Sequence, residues 1–298
     1  MDQHHFRTTP AKERGETFMY PFKIGVILDS FRVETKKAVK MAADLGVTGL
    51  QIYATKGEMS PEELIHDKQS EFIKLIDSYG LKVSALCGDM GRGFTDPEQN
   101  PSLIERSKRI LDLANNLGTN IVTTHIGVVP DDASSKRYEV MQSACRELAE
   151  YADSHNSFFA VETGPETADR LKNFLDSLGS HGVAVNMDPA NLVMVTGDDP
   201  VAAVYTLRDY IVHTHAKDGR KLRHVEPEVL YADIEAEIAK GAAFLELPLG
   251  QGDVDFPMYL KALHEIGYKG FLTIEREVGE DPGADIDMAV QFLREQIS

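Results

Sequence analysis

The sequence predicts a single-domain (β/α)₈ TIM barrel with an extended loop after the seventh strand. Eight short runs rich in apolar and β-branched residues alternate with amphipathic stretches along the 298 residues. Strands that are almost continuously hydrophobic and separated by helices are typical of a parallel sheet covered on both faces. Eight such units favour closure into a barrel. An open doubly wound sheet is the alternative, but it usually carries a glycine-rich phosphate loop after its first strand. Here that position reads Leu28-Asp29-Ser30-Phe31.

The limits of the elements follow from hydrophobic periodicity and turn residues. Predicted strands cover residues 22–28, 49–53, 82–87, 120–125, 158–162, 182–188, 210–215 and 270–275. Predicted helices show the apolar spacing of one helical face and cover residues 34–45, 61–79, 102–117, 133–154, 167–178 and 256–266. Several helices end at a glycine, which suits the left-handed conformation that stops a helix before the chain returns to a sheet. These glycines are Gly46, Gly80, Gly118 and Gly179.

Two segments depart from this repeat. Residues 1–20 are polar and lack the apolar stretch of a signal peptide, so they are predicted to form an N-terminal arm that precedes a barrel at 21–298. Residues 219–247 follow the seventh predicted strand and include a predicted short helix at 234–240. Long loops on the ligand face of a barrel usually shape or cover the pocket, so this segment is predicted to be a substrate lid.

Composition narrows the classes of partner and compartment. The formal net charge of −17 disfavours nucleic acid, and no basic stripe is evident along the sequence. Cys87 and Cys145 give neither a disulfide framework nor a C-x-x-C pair, which favours a reducing compartment and makes the cytoplasm the expected location. The sequence contains no window of about 18 apolar residues, so no membrane-spanning helix is predicted.

Four side chains close predicted strands at a spacing that suits a metal site. Glu162, Asp188 and His215 lie 26 and 27 residues apart, and Glu275 follows 60 residues later, which matches one or two strand-plus-helix repeats. A barrel gathers the carboxyl ends of its strands on one face, so these side chains are predicted to converge. One strand-end carboxylate would more often cap a helix or pair with a lysine, but four polar side chains at matching strand ends, three carboxylates and one imidazole, favour a metal. Three carboxylates and one imidazole favour a hard divalent cation, Mn²⁺ first, with Mg²⁺, Co²⁺ or Zn²⁺ as alternatives.

Other polar residues lie near the same strand ends. His213 and His215 share one face of a strand; His215 is the predicted ligand because it lies nearer the carboxyl end, and His213 either lines the pocket or packs. Asp218 either orients the imidazole of His215 or is solvated. His125 is predicted to contact a substrate hydroxyl, with a capping or core histidine as the alternative. Further candidates for substrate contact are Tyr53, Cys87, Asp89 and Asn191.

Motif absences narrow the chemistry. The sequence contains no G-x-S-x-G elbow, no G-x-x-x-x-G-K-[ST] loop, no H-E-x-x-H motif and no dinucleotide fingerprint. Covalent serine chemistry and a redox cofactor are therefore not expected.

Five short motifs carry a resemblance to a known family. They are Val161-Glu162-Thr163, Asn186-Met187-Asp188-Pro189-Ala190-Asn191, His213-Thr214-His215-Ala216-Lys217-Asp218, Gly250-Gln251-Gly252-Asp253-Val254-Asp255, and Gly267-Tyr268-Lys269-Gly270-Phe271 running into Ile274-Glu275. From Phe22 onward the chain resembles the xylose isomerase-like TIM-barrel superfamily, in particular its sugar isomerase and epimerase branch. The resemblance implies one divalent cation held by Glu162, Asp188, His215 and Glu275. The ketose 3-epimerase members imply that the two glutamates are also the acid/base pair, on opposite faces of the sugar.

The activity implied by this resemblance is isomerisation or epimerisation of a small carbohydrate by proton transfer through an enediolate. Dehydratases of the same superfamily share the four ligands, so a lyase acting on a polyol or keto-acid is an alternative, as is a non-catalytic sugar-binding barrel. The endonuclease IV branch has a histidine three residues after the aspartate, where this chain has Asn191, so phosphodiester cleavage is not expected. Barrels of this type often associate, which implies a homo-oligomer. Residues Arg220, Lys221 and Arg223 of the predicted lid could bind a substrate phosphate, although a solvated basic run is the favoured interpretation.

Overall fold

The computed structural model describes residues 19–231 and 242–298. In these residues eight parallel strands form a closed barrel. They are β1 (Lys23–Ile27), β2 (Gly49–Tyr53), β3 (Lys82–Cys87), β4 (Ile121–Thr124), β5 (Phe158–Glu162), β6 (Val183–Met187), β7 (Ile211–Ala216) and β10 (Phe271–Ile274). Their order around the barrel is β1-β10-β7-β6-β5-β4-β3-β2. The predicted TIM barrel is confirmed, and each predicted strand limit lies within one residue of the observed limit.

Helices alternate with the barrel strands. They are α1 (Thr35–Asp44), α2 (His66–Ser78), α3 (Asn100–Asn116), α4 (Lys136–Ser154), α5 (Ala168–Leu178), α6 (Pro189–Asn191), α7 (Pro200–Thr206), α8 (Pro227–Leu230), α9 (Phe256–Glu265) and α10 (Pro282–Ile297). A π-helical turn, Leu192–Thr196, follows α6. The start of α2 is later than predicted because the chain first makes a turn, in which the Ser60 carbonyl accepts from Leu64, and Ile65 is extended.

The predicted glycine stops are confirmed. Gly46, Gly80, Gly118 and Gly179 have φ values of 70°, 71°, 81° and 65°. Glycine tolerates this left-handed conformation because it has no Cβ. Each stop turns the chain directly into the next strand, so the carboxyl ends of the barrel strands share one face.

The inside of the barrel is polar beneath that face. Gln51, Thr123, Asn186, His213 and Thr273 are all at most 1% exposed. Their side chains pair with one another, with Gln51 donating to Thr123 and His213 bridging Asn186 and Thr273. Buried polar groups are costly unless they are hydrogen-bonded, and these groups are. The layer is therefore a rigid support for the side chains at the carboxyl ends of the strands.

A small antiparallel sheet interrupts the repeat after β7. It consists of β8 (Asp218–Lys221) and β9 (Phe244–Leu247), which, apart from Asp218, lie within the segment predicted to be a lid. The Arg276 guanidinium, just past β10, contacts Glu246 of β9 at 2.7 Å and so ties this sheet to the barrel. The predicted helix at 234–240 and residues 1–18 of the predicted arm lie outside the described residues. Among the described helices, none combines the length and apolar character needed to cross a membrane.

Candidate active site

The four predicted ligands come together at the carboxyl ends of four barrel strands. One ligand atom from each of Glu162, Asp188, His215 and Glu275 can be chosen so that all four lie within 4.8 Å of one another. His215 Nδ1 lies 3.0 Å from Glu275 Oε2, 3.2 Å from Asp188 Oδ2 and 3.6 Å from Glu162 Oε1. The strands supply this geometry because their carboxyl ends share one face of the barrel.

The cluster fits one divalent cation. Carboxylate and imidazole ligands lie about 2.0–2.2 Å from such an ion, so ligand atoms on opposite sides of it are about 4.4 Å apart, close to the spread observed here. All four side chains are buried. Three buried carboxylates repel one another unless positive charge balances them. A divalent cation would supply that charge, and the donor set suits a hard ion.

Amide side chains hold the carboxylates in place. Asn186 Nδ2 donates to Glu162 Oε2 at 3.0 Å, and Asn191 Nδ2 donates to Glu162 Oε1 at the same distance. The backbone N–H of Asn191 donates to Asp188 Oδ1 at 2.9 Å. Asn191 was predicted to contact substrate; it borders the cavity and also positions two of the candidate ligands. Asn186, two residues before Asp188 in β6, was not predicted.

A hydrogen-bond chain from inside the barrel fixes the ring of His215. Its Nε2–H donates to Gln51 Oε1 at 2.9 Å, and Gln51 in turn donates to Thr123 Oγ1 at 3.0 Å. The proton on Nε2 leaves Nδ1 as the nitrogen that faces the carboxylates. Such outer partners fix the tautomer and orientation of metal-binding histidines. Gln51 therefore orients the imidazole of His215, a role for which Asp218 was one of the predicted candidates.

Both interpretations of Asp218 are wrong. The residue is 1% exposed, so it is not solvated, and among the described residues the hydrogen-bond donors to its carboxylate are backbone N–H groups. Oδ1 accepts from Gly219 and Val254, while Oδ2 accepts from Gly250 at 3.0 Å and Gly252 at 2.9 Å. A Cβ on Gly252 would lie 2.0 Å from Asp218 Oδ1, so the turn needs glycine there. Asp218 thus anchors the Gly250–Gly252 turn to the start of β8.

His125 and Asp89 form a pair beside the cluster. His125 Nδ1 lies 3.0 Å from Asp89 Oδ2, and its Nε2 lies 3.7 Å from Glu162 Oε1. Burial lowers the pKa of His125, but the carboxylates of Glu162 and Asp89 outweigh it and raise that pKa to about 9. Within the described chain, Nε2 is buried without a hydrogen-bond partner. His125 therefore directs Nε2 towards Glu162, beside the cluster.

Lys217 is a functional candidate that the sequence reasoning missed. Its side chain is 5% exposed, and Nζ lies 3.2 Å from Glu275 Oε2 and 2.7 Å from Glu277 Oε2. Burial lowers the pKa of Lys217, but Glu275 and Asp188 outweigh it, so that pKa lies well above its usual value. Burial likewise raises the pKa of Glu275, but Lys217 and His215 bring it below the ordinary value. The sequence could have indicated Lys217, because it comes two residues after His215 and side chains alternate between the two faces along an extended chain.

A cavity of about 240 Å³ opens above the cluster. This volume lies below the range of about 300–1,000 Å³ that is typical of drug-sized ligands, so it suits a small substrate. Of the predicted contact residues, its lining includes Tyr53, Cys87, Asp89, His125 and Asn191. Leu230, Tyr231 and Phe244 from the segment after β7 also line it, in keeping with the predicted lid, which stays a prediction.

His213 is the predicted contact residue that does not line this cavity. It is 1% exposed, its Nδ1 pairs with Asn186 Oδ1 at 2.9 Å, and its Nε2 pairs with Thr273 Oγ1 at 3.0 Å. Burial keeps the pKa of His213 well below its usual value, so the ring is neutral. The predicted direct substrate contact is replaced by the alternative of a packed histidine, because both ring nitrogens are engaged inside the barrel. From there it orients Asn186.

Two of the basic residues of the predicted lid, Arg220 and Lys221, contact other parts of the chain. Arg220 Nε lies 2.8 Å from Asp253 Oδ1, and Lys221 Nζ donates to the carbonyl of Val195 at 2.6 Å. Neither residue lines the cavity above the cluster. These contacts do not favour a phosphate site on that segment.

Comparison of sequences decides the family. The sequence profile of the xylose isomerase-like TIM barrel matches residues 39–296, most of the barrel. The chain belongs to this family. Among similar proteins, the rhizopine catabolism protein MocC of Rhizobium meliloti is 36% identical over 132 residues, which is 43% of this chain and 36% of that protein. Inosose dehydratase of Lacticaseibacillus casei is 28% identical over 120 residues, 40% of this chain and 38% of that protein. The match thus spans less than half the length of each relative.

Several solved structures match over nearly the whole chain. A xylose isomerase domain protein from Planctomyces limnophilus has a TM-score of 0.75 and 26% identity, and the match covers 94% of this chain and 98% of that one. The probable 3-DHS dehydratase AsbF from Bacillus anthracis has a TM-score of 0.72 and 18% identity, with 92% and 99% covered. D-psicose 3-epimerase from Clostridium cellulolyticum H10 has a TM-score of 0.68 and 16% identity, with 93% and 100% covered. The last two show a shared fold alone.

Proposed function

We propose that this protein is a divalent-metal-dependent isomerase or epimerase of a small carbohydrate, which moves a proton at a carbon next to a carbonyl group. One observation carries the proposal: two buried carboxylates, Glu162 and Glu275, both approach Nδ1 of His215, at 3.6 Å and 3.0 Å, and both line a small cavity. Proton transfer needs a carboxylate within hydrogen-bond reach of the reacting carbon, and epimerisation needs two.

The proposed roles follow from the contacts of each residue. One of the two glutamates takes the proton from carbon and the other returns one. The ligands of the cation are Glu162, Asp188, His215 and Glu275, and Mn²⁺ is our first choice of ion. When bound, the cation would polarise the substrate carbonyl and make the neighbouring C–H more acidic.

Two cations of the chain complete this proposal. The imidazolium of His125, held by Asp89 at 3.0 Å, donates its free N–H to a substrate oxygen. The ammonium of Lys217, 3.2 Å from Glu275, keeps that glutamate ionised and ready to accept a proton. Both groups lie at the cavity lining. A preorganised donor in a site shielded from water stabilises the negative charge that develops on the substrate.

The same two cations favour a second candidate, a dehydratase. After proton removal, loss of water requires an acid that protonates the departing hydroxyl, and a buried ammonium or imidazolium can supply that proton. One of the relatives reported above is named inosose dehydratase, which supports this alternative without deciding it. A non-catalytic sugar-binding barrel is the third candidate. Cytoplasmic location and homo-oligomerisation stay predictions.

Solvent exchange in D₂O tests the proposed function. The Mn²⁺-loaded protein is incubated with free and phosphorylated ketoses and aldoses and with cyclic polyol ketones, and the substrates are followed by NMR. We expect deuterium at the carbon next to the carbonyl, with a new epimer or isomer, and loss of this exchange after EDTA treatment. A product lighter by one water would replace the isomerase with the dehydratase. No exchange with any compound, with metal bound, would contradict both and favour the binding barrel.

A further inference from the structure

A second cavity opens beside the candidate active site. Its volume is about 670 Å³, and we name it the basic pocket after the cations in its lining: Lys56, Arg92, Arg106 and Arg109. Tyr53 and Asp89 line both this pocket and the cavity above the ligand cluster. The two cavities are therefore adjacent, and a substrate that reaches past Tyr53 would enter the basic pocket.

The positive charge of this pocket is unusual for the chain as a whole. The protein has a formal net charge of −17, yet four cationic side chains and a single carboxylate, Asp89, line the pocket. That carboxylate is turned towards His125. No basic stripe is evident along the sequence, which left a local basic patch in the fold open. The patch is not visible in the sequence because its cations come from three separate segments, namely the loops after β2 and β3 and helix α3.

Two of the arginines share one counter-ion. Arg106 Nη2 lies 3.3 Å from Glu62 Oε2, and Arg109 Nη1 lies 3.1 Å from Glu62 Oε1. Arg106 also donates to the carbonyl of Thr55 at 2.7 Å, which holds its guanidinium beside the pocket. Its side chain is 34% exposed. One carboxylate cannot balance two guanidinium groups, so positive charge remains in excess.

The third arginine is held by a neutral partner. Arg92 Nη1 donates to Gln99 Oε1 at 2.6 Å, which orients the guanidinium. Asp96 is near enough to interact with Arg92 electrostatically, but it does not line the pocket. Lys56 is exposed at the rim. Guanidinium groups match phosphate and carboxylate oxygens through paired N–H donors, and three of them in one cavity form a suitable receptor for such an oxyanion.

We infer that the basic pocket binds an oxyanion group, phosphate or carboxylate, at the end of the substrate remote from the reacting carbon. The inference rests on the proposed function for the position of the reacting carbon beside Glu162 and Glu275. It narrows the substrate class to sugar phosphates or sugar acids. Arg92 and Arg106 are the main donors, and Lys56 and Arg109 add long-range attraction.

Titration with inorganic phosphate tests the pocket without any reaction. Calorimetry compares the Mg²⁺-loaded wild type with Arg92→Gln, Arg106→Gln and Lys136→Gln. The last variant removes one exposed positive charge on α4, at a lysine paired with Glu139, and is the control. We expect millimolar or tighter binding, weakened about tenfold in each arginine variant and within about twofold of wild type in the control. No phosphate binding by the wild type, or equal weakening in all three variants, would overturn the inference. Arg92 is exposed, so Arg92→Gln keeps the test valid if Arg106→Gln unfolds.

Exchange kinetics separate the substrate's own anion from free phosphate. For a sugar phosphate or sugar acid, Arg106→Gln is expected to raise KM about tenfold with kcat nearly unchanged, and to leave the KM of the neutral sugar as it was. Equal effects on charged and neutral substrates would overturn the assignment to the substrate's own anion. Phosphate binding without exchange on any sugar would remove the proposed function and leave an anion site. Exchange on neutral sugars without phosphate binding would remove the anion site and leave the function.

Discussion

Replacing Glu275 with glutamine is expected to reduce turnover by about 10³-fold or more. The substitution keeps the shape of the side chain but removes a proton carrier and one charge from the ligand cluster. Glu275 lies 3.0 Å from His215 Nδ1 and 3.2 Å from Lys217 Nζ, so it stands at the centre of the charged groups. Steady-state kinetics with the substrate found by exchange, together with metal analysis of the purified variant, measure this effect.

The matched control for this variant is Glu280→Gln. Glu280 follows the same strand but is exposed, and its replacement is expected to leave kcat and metal content unchanged. Metal analysis distinguishes the two roles of Glu275: retained metal with lost turnover indicates proton transfer, whereas lost metal indicates ligation. Near-wild-type turnover in Glu275→Gln would contradict both roles.

Replacing Lys217 with methionine is expected to lower turnover by about 10²-fold or more. Methionine fills a similar volume but cannot balance the charge of Glu275 or donate a proton. In an isomerase, exchange at carbon and product formation should fall together, because the ammonium acts by keeping Glu275 ionised. In a dehydratase, loss of water should fall further than exchange, because the ammonium is the acid for the departing hydroxyl.

Exchange and product formation are therefore measured side by side for Lys217→Met. The control is Lys269→Met. Lys269 is exposed and precedes the amino end of β10, whereas the ligand cluster lies at the carboxyl ends of the strands. This variant removes the same charge and is expected to behave as wild type. A fully active Lys217→Met protein would show that the buried ammonium contributes to neither step. The assignment of Lys217 to the reaction would then be withdrawn.

The barrel and the convergence of its four strand-end side chains were predictable because both follow from local pattern. Apolar runs mark the strands, glycines such as Gly46 and Gly179 stop the helices, and parallel closure places the strand ends on one face. Glu162 and Asp188 could be selected because a charge at the end of an apolar strand is costly without a partner. These inferences use residues that are close in sequence, together with one rule about the fold.

The partners of those side chains could not be predicted, because they depend on tertiary packing. Gln51 reaches His215 across a sequence separation of 164 residues, and nothing in the run Leu50-Gln51-Ile52 indicates that contact. Asp218 was misinterpreted for the same reason, since its N–H donors include Gly250 and Gly252, 32 and 34 residues away.

Loops account for the remaining differences. The basic pocket gathers cations from separate segments, and Tyr231 reaches the cavity from the segment after β7, with its ring centroid 5.4 Å from that of His125. Loop placement is set by many weak contacts that leave no periodic signal in sequence. Lys217, by contrast, directly follows β7 in the motif His213-Thr214-His215-Ala216-Lys217-Asp218, and continuing the strand alternation past His215 would have found it.

Anomalous diffraction from crystals grown with Mn²⁺ tests the central claim most directly. The claim is that Glu162, Asp188, His215 and Glu275 hold a single divalent cation. We expect one strong manganese peak among these residues, about 2.2 Å from His215 Nδ1 and from at least one oxygen of each carboxylate. A site with no peak at saturating Mn²⁺, or a peak held by other residues, would contradict the claim.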